Sequence, residues 1–145
     1  MFHVRQRNMT IRTANISDEH QVRQIHLKAF DEDENELVAD LARDLLNETS
    51  TPETLHLVAD IEGDIVGHIA FSPVRSKTRQ NLVGYILAPL AIEPESQKKG
   101  MGSKLIREGL RLLAIQDVNI VFVYGDPDYY ARFVFTTKLA KEFIP

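Results

Sequence analysis

The sequence predicts one α/β domain of the α+β kind, built around a mainly antiparallel sheet. Two amphipathic helical stretches come before any long strand, an antiparallel meander follows them, and the last strand of that meander runs through a glycine loop into a further amphipathic helix. At 145 residues the chain fits a single compact domain over residues 1–145. Its 43% hydrophobic and 26% charged residues supply a core and give no compositional case for disorder.

Residues 10–14 read as the first strand. Ser17 is placed as an N-cap, with Asp18 and Glu19 favourable to the dipole of the helix behind it. Val22, Ile25, His26 and Ala29 share one face of that helix, and Leu37, Val38, Leu41 and Leu45 share a face of a second. Between them lie Asp31, Glu32, Asp33, Glu34 and Glu36, a like-charge block that reads as a solvated loop or helix start, with attraction of a cationic substrate as the competing reading. Leu55, Leu57, Ala59 and Ile61 then alternate with His56, Val58 and Asp60, and Glu62-Gly63 joins this run to residues 65–71 as a hairpin. A polar turn over 76–81 leads to a third strand over 82–92. Pro89 lies inside it, where a missing backbone donor marks a bulge or an unpaired edge. The helix after the glycine loop turns Leu105, Ile106, Gly109, Leu112 and Leu113 inward. Residues 120–124 form a short apolar strand, followed by the turn Gly125-Asp126-Pro127 and a short helix over 128–133.

Several function classes are excluded by composition. The longest apolar run, residues 85–92, is short and contains Pro89, so no segment crosses a bilayer as a helix. The first eight residues lack the apolar stretch of a secretory signal, so a cytoplasmic location is expected. With no cysteine there is no disulfide, thiolate zinc site or cysteine nucleophile, and no metal is expected. A net charge of −4 argues against general binding to a nucleic-acid backbone.

The chemistry concentrates at Gln97-Lys98-Lys99-Gly100-Met101-Gly102. A helix N-terminus presents unpaired N–H groups and partial positive charge, Gly100 and Gly102 allow close backbone approach, and Lys98, Lys99 and Lys104 add cations. A diphosphate is the natural guest. The dinucleotide fingerprint fails because Leu105 stands where its third glycine belongs and the strand lies in a meander. The P-loop fails because one residue, not four, separates the two glycines.

This stretch resembles the GCN5-related N-acetyltransferase superfamily, whose signature Gln/Arg-x-x-Gly-x-Gly/Ala sits between a bulged strand and a helix. Leu90-Ala91-Ile92-Glu93-Pro94 and the later Asp126-Pro127-Asp128-Tyr129-Tyr130-Ala131-Arg132-Phe133-Val134-Phe135 match too, the latter resembling a bacterial subgroup of small predicted acetyltransferases; the likeness covers residues 10–135. The resemblance implies a mixed, mainly antiparallel sheet with a splayed bulged strand, helices on both faces and abbreviated C-terminal strands. It also implies acetyl-CoA as cosubstrate, with its pyrophosphate on the amides of Lys98, Lys99, Gly100, Met101, Gly102 and Ser103 and its pantetheine arm along Leu90, Ala91 and Ile92. Gln97 belongs to the same binding loop. An N–H near Ala91 or Ile92 would hold the thioester oxygen as charge develops on it.

In this reading an acetyl group passes directly to a primary amine of a small molecule or protein. Tyr130 is the candidate acid for the thiolate, with Tyr129 as its neighbouring alternative, and Glu93 is the candidate base, directly or through water. His26 and His68 are read as satisfied, partly buried histidines outside the site. Val134 replaces the glycine usual before Phe135, and only ten residues follow Phe135 where the family has two more strands. A homodimer completing the sheet is therefore expected. Two other readings stand beside the enzyme: a catalytically weak CoA-binding sensor or interaction module on the same fold, and an interaction domain without cofactor. Residues 1–8 read as an N-terminal extension.

Overall fold

The computed structural model describes residues 8–30, 34–48, 52–76, 78 and 81–123. Five strands form one sheet in chain order: β1 (Met9–Thr13), β2 (Leu55–Ile61), β3 (Asp64–Arg75), β4 (Leu82–Ile92) and β5 (Val121–Val123). The first four pair antiparallel and β5 runs parallel to β4. The predicted hairpin is present, its turn made by Glu62 at φ 50° and Gly63 at φ 97°, the left-handed region that a tight two-residue connection needs. The amide of Gly63 also donates to Asp60 Oδ1 at 2.7 Å.

Helices α1 (Glu19–Ala29) and α2 (Asn35–Asn47) cover one face of the sheet, and α3 (Met101–Ile115) covers the other. The chain enters α1 through a 3-10 turn, Ile16–Asp18, whose cap is Asn15 and not Ser17: the Asn15 side chain accepts from the Ser17 amide, and the Asp18 carboxylate accepts from the Asn15 amide. Asp18 is thereby buried. It takes a bidentate bond from Arg12 at 2.8 and 2.9 Å, and Arg12 also donates to Asp60 at 3.1 Å, tying the β1–β2 edge to the start of α1. The arginine holds the Asp18 carboxyl below its usual range.

The face expected for α2 is corrected. Ala39 and Ala42 point inward, while Leu37 and Leu41 are 75% and 45% exposed and Val38 and Leu45 are half-buried. The packing of α2 on α1 favours small residues at the line of contact, so the alanines, not the bulkiest side chains, set the buried stripe. On α3 the predicted Leu105, Ile106, Gly109 and Leu113 are buried, Leu112 is half-buried, and Met101 and Leu110 complete the face. A Cβ on Gly109 would stand 2.1 Å from the Phe71 ring, which is why the helix carries glycine there.

Pro89 marks a bulge, as expected. Opposite Ile69 and Phe71 of β3 stand Leu90 and Leu87 of β4, so Ala88 and Pro89 together face the single residue Ala70. The extra residue changes which positions face which helix layer. Tyr85 and Leu87 lie in the core under α3 before the bulge. After it Leu90 and Ile92 do so, and Ala91 joins the core under α1. On its other edge β4 pairs with β5 over Tyr85, Ile86 and Leu87.

Among the described residues no helix is long and apolar enough to cross a membrane. Tyr129, Tyr130, Val134, Phe135, the short helix over 128–133 and any abbreviated C-terminal strand lie outside the described residues, as do residues 1–7 of the expected extension.

Candidate functional site

The bulge and the start of α3 open onto one cavity of about 530 Å³. Its floor is Leu90, Ala91 and Ile92, beyond the stretch of β4 that pairs with β5. Its rim is the glycine loop, contributed by Ser96, Gln97, Lys98, Gly100, Met101, Gly102 and Ser103. The opposite wall is Ala29 and Phe30 at the end of α1. Sequence reasoning missed Ala29, Phe30 and Ser96 as lining residues; Ser96 directly precedes the glycine loop, whereas no local signal marks Ala29 and Phe30, which lie far away in the chain.

The loop is shaped residue by residue. Pro94–Ser96 makes a 3-10 turn after Glu93, and the Gln97 side-chain amide donates to the Ile92 carbonyl at 3.0 Å, folding the loop back on the strand end. Lys98 at φ 65° and Gly100 at φ 76° both take left-handed backbone. Gly100 is the N-cap of α3 and so provides no side-chain cap. The first amides of α3 therefore have neither an intrahelical partner nor a capping oxygen, and they stand at the cavity rim. A Cβ added at Gly100 would meet nothing within 4 Å, so the space in front of the loop is open. With Lys98 exposed beside it, this end of α3 fits a phosphate group, and the bulged strand presents backbone N–H and C=O groups for an extended amide-bearing chain.

The structure thus brings together Leu90, Ala91, Ile92, Gln97, Lys98, Gly100, Met101, Gly102 and Ser103, and leaves Lys99 off the lining. Glu93 does not face this cavity. Its amide donates to Val66 O at 2.8 Å, and the residue lines a neighbouring cavity of about 410 Å³ with Lys28, Asp64 and Glu95. Among the described residues no cluster of His, Asp or Glu is arranged to hold a metal ion.

The histidines set aside in the sequence are joined. His26 Nε2 lies 2.9 Å from His68 Nδ1, His68 Nε2 lies 3.0 Å from His56 Nδ1, and His56 Nε2 lies 3.1 Å from the Leu45 carbonyl. His26 and His68 are 0% exposed. Burial lowers the pKa of all three, that of His26 to about 4.

Residues 19–134 match the model of the acetyltransferase (GNAT) family. The chain is 36% identical over 126 residues to the uncharacterized N-acetyltransferase YjhQ of Escherichia coli K12, covering 86% of this chain and 68% of that protein. It is 40% identical over 83 residues to YhbS of the same organism, covering 57% of this chain and 49% of YhbS; the chain thus spans about half the length of that relative. Among solved structures, a GNAT family acetyltransferase from Brucella melitensis in complex with acetyl-CoA superposes at a TM-score of 0.70 with 32% identity, over 88% of this chain and 82% of that one. YhbS from Escherichia coli in complex with CoA superposes at 0.72 with 29% identity, over 91% and 71%.

Proposed function

Because this chain belongs to the acetyltransferase (GNAT) family, we propose that it transfers an acetyl group from acetyl-CoA to a primary amine of a small molecule or protein, by direct attack in a ternary complex. The observation that carries the reading is the uncapped start of α3 opening onto the same cavity as the bulged end of β4. One end suits a diphosphate and the other an extended chain of amides, and acetyl-CoA has both. Two solved relatives are complexes with acetyl-CoA and with CoA.

In this reading the amides at 98–103 hold the pyrophosphate, and residues 90–92 pair with the pantetheine arm as an added strand would. An amide at Ala91 or Ile92 stabilises the oxyanion as the amine attacks. Glu93, which lines the neighbouring cavity, takes the ammonium proton through water, and Tyr130 returns one to the departing thiolate. The acids at 31–36 favour a cationic amine, and the chain pairs as a homodimer. The chain works in the cytoplasm. A second reading, a CoA-binding sensor with little turnover, is favoured by Val134 where the family has glycine.

Calorimetric titration with acetyl-CoA and CoA, followed by mass detection of CoA release against a panel of amines, separates these readings. Binding with amine-dependent release supports the enzyme, and binding without release supports the sensor. Gly102→Asp, which sets a carboxylate where the diphosphate would lie, should abolish binding in a folded protein. An unchanged titration would remove the loop from the site.

A further inference from the structure

The three histidines form a chain with a direction. The Leu45 carbonyl only accepts, so Nε2 of His56 carries the hydrogen and its Nδ1 accepts from Nε2 of His68. Nδ1 of His68 in turn accepts from Nε2 of His26. Each neutral ring is thereby fixed as the Nε2–H form, and Nδ1 of His26 is left as a buried acceptor with no partner. A further proton added without breaking a bond must place a hydrogen on that one atom, whichever ring then carries the charge.

The chain also ties four elements together. It runs from α1 through β3 and β2 to the carbonyl of α2. Its His26 end supports the cavity. That ring lies parallel to Phe30, with centroids 6.0 Å apart, and Phe30 and Ala29 are the wall opposite residues 90–92. His68 stands directly across the ladder from Ala91 in the floor. Floor and wall are thus linked by one hydrogen bond between two buried rings.

Among the described residues no carboxylate is hydrogen-bonded to the three rings. Arg23 of α1 is engaged by Asp40 of α2 at 3.4 Å. Lys28 of α1, Asp64 of β3 and Glu93 beyond β4 line the neighbouring cavity. Asp60 of β2 is held by Arg12, and Glu48 and Glu53 line a third cavity, of about 250 Å³, that His56 reaches. Among the described residues none of these is hydrogen-bonded to the three rings. A charged chain is relieved by exposing an end, and His26, in the last turn of α1 where the helix dipole favours a cation, is the end attached to the wall.

Resting on the acetyl-CoA reading of the cavity, we propose that His26, His68 and His56 are positioning residues that hold the Ala29–Phe30 wall only while the chain is neutral, so that a proton taken up at His26 Nδ1 weakens acetyl-CoA binding. Acetyl-CoA is the probe, titrated calorimetrically into the full chain from about pH 8 to about pH 4, from the ordinary histidine range down to the value to which burial lowers His26. His26→Gln keeps a donor to His68 but cannot titrate. It should match the wild type near pH 8, whereas His26→Leu, which drops the donor, should bind more weakly at every pH. At about pH 4 the wild type should have lost about twofold more affinity than His26→Gln, half of the His26 rings being protonated there, with the difference steepening toward about tenfold per pH unit below it. The phosphates of the probe titrate alike against both proteins and cancel in the comparison. Parallel losses in wild type and His26→Gln would overturn the proposal. Independently of any variant, the NMR titration midpoint of the His26 ring should fall when acetyl-CoA saturates the wild type, and an unmoved midpoint would also overturn it. Absence of wild-type binding near pH 8 is a different failure: it removes the acetyl-CoA reading, and this inference with it.

Discussion

Under α3 the sheet presents Leu57, Ile69, Phe71, Tyr85 and Leu87 to Met101, Leu105, Ile106 and Leu113, whereas under α1 and α2 it presents Val58, Ile65 and Ala91, with His56 and His68, to Val22, Ile25, His26 and Ala42. The first face is large, apolar and indifferent to direction: what matters is filled volume. The second buries smaller side chains, and its polar part works only if every hydrogen bond points the same way along the chain. The cavity takes its rim from the first layer and its wall from the second. The wall therefore stands on the face whose cohesion depends on protonation.

The largest expected effect breaks the α3 face. Phe71→Ala empties a fully buried ring position and should cost about 4 kcal/mol in urea denaturation. A loss under 1 kcal/mol would mean that α3 is not seated as described. On the other face, His68→Leu strands the Nε2–H of His26 and the Nδ1 of His56, for about 3 kcal/mol. The sharper check is the pair: adding His26→Leu to His68→Leu should restore about 1 kcal/mol, because one orphaned donor disappears. Simple additivity of the two losses would show that the rings do not act as a chain.

Acid should separate the faces next. The folded pKa of each histidine lies below its unfolded value, so below about pH 6.5 the unfolded chain binds more protons and stability falls. The slope is up to about 1.4 kcal/mol per pH unit for each histidine, and for His26 it ends near its folded value of about 4. Asp18, whose carboxyl is held low by Arg12, adds its loss only as its own carboxylate range is reached. Stability measured by denaturant against pH should show Phe71→Ala parallel to wild type across this window, since among the described residues the core it damages is apolar apart from Tyr85. A pH-independent wild type would contradict burial of the histidines as neutral rings. Leu37→Gln gives the smallest effect: at 75% exposure it should change stability by less than about 0.5 kcal/mol. A loss above 1 kcal/mol would mean that Leu37 is covered in solution.

Much of this comparison was legible in the residues. The hairpin, the bulge at Pro89 and the glycine loop each rest on a local rule, and each is present. The inward face of α2 was not, because helical periodicity singles out Leu37 and Leu41, while packing of α2 on α1 buries Ala39 and Ala42. The histidine chain was not legible either. His26 and His68 each read singly as a partly buried histidine and His56 as one position of an alternating strand, and their connection depends on the β2–β3 register and on where α1 crosses the sheet. Ala29 and Phe30 are invisible for the same reason: nothing near them in the chain says what they face. The assignment of Tyr130 lies outside the described residues.

The bulge in β4 works as a phase shifter. Because the side-chain period of a strand is two, one inserted residue lets a single strand change partners midway without turning or ending. Just before it the odd-numbered Tyr85 and Leu87 serve the large core; from Leu90 the even-numbered positions do, and Ala91 is released to the cavity floor. Removing the extra residue would swap these assignments over the second half alone. It would point Leu90 and Ile92 at α1 and Ala91 at α3, leaving the segment from Gly84 to Leu87 in phase.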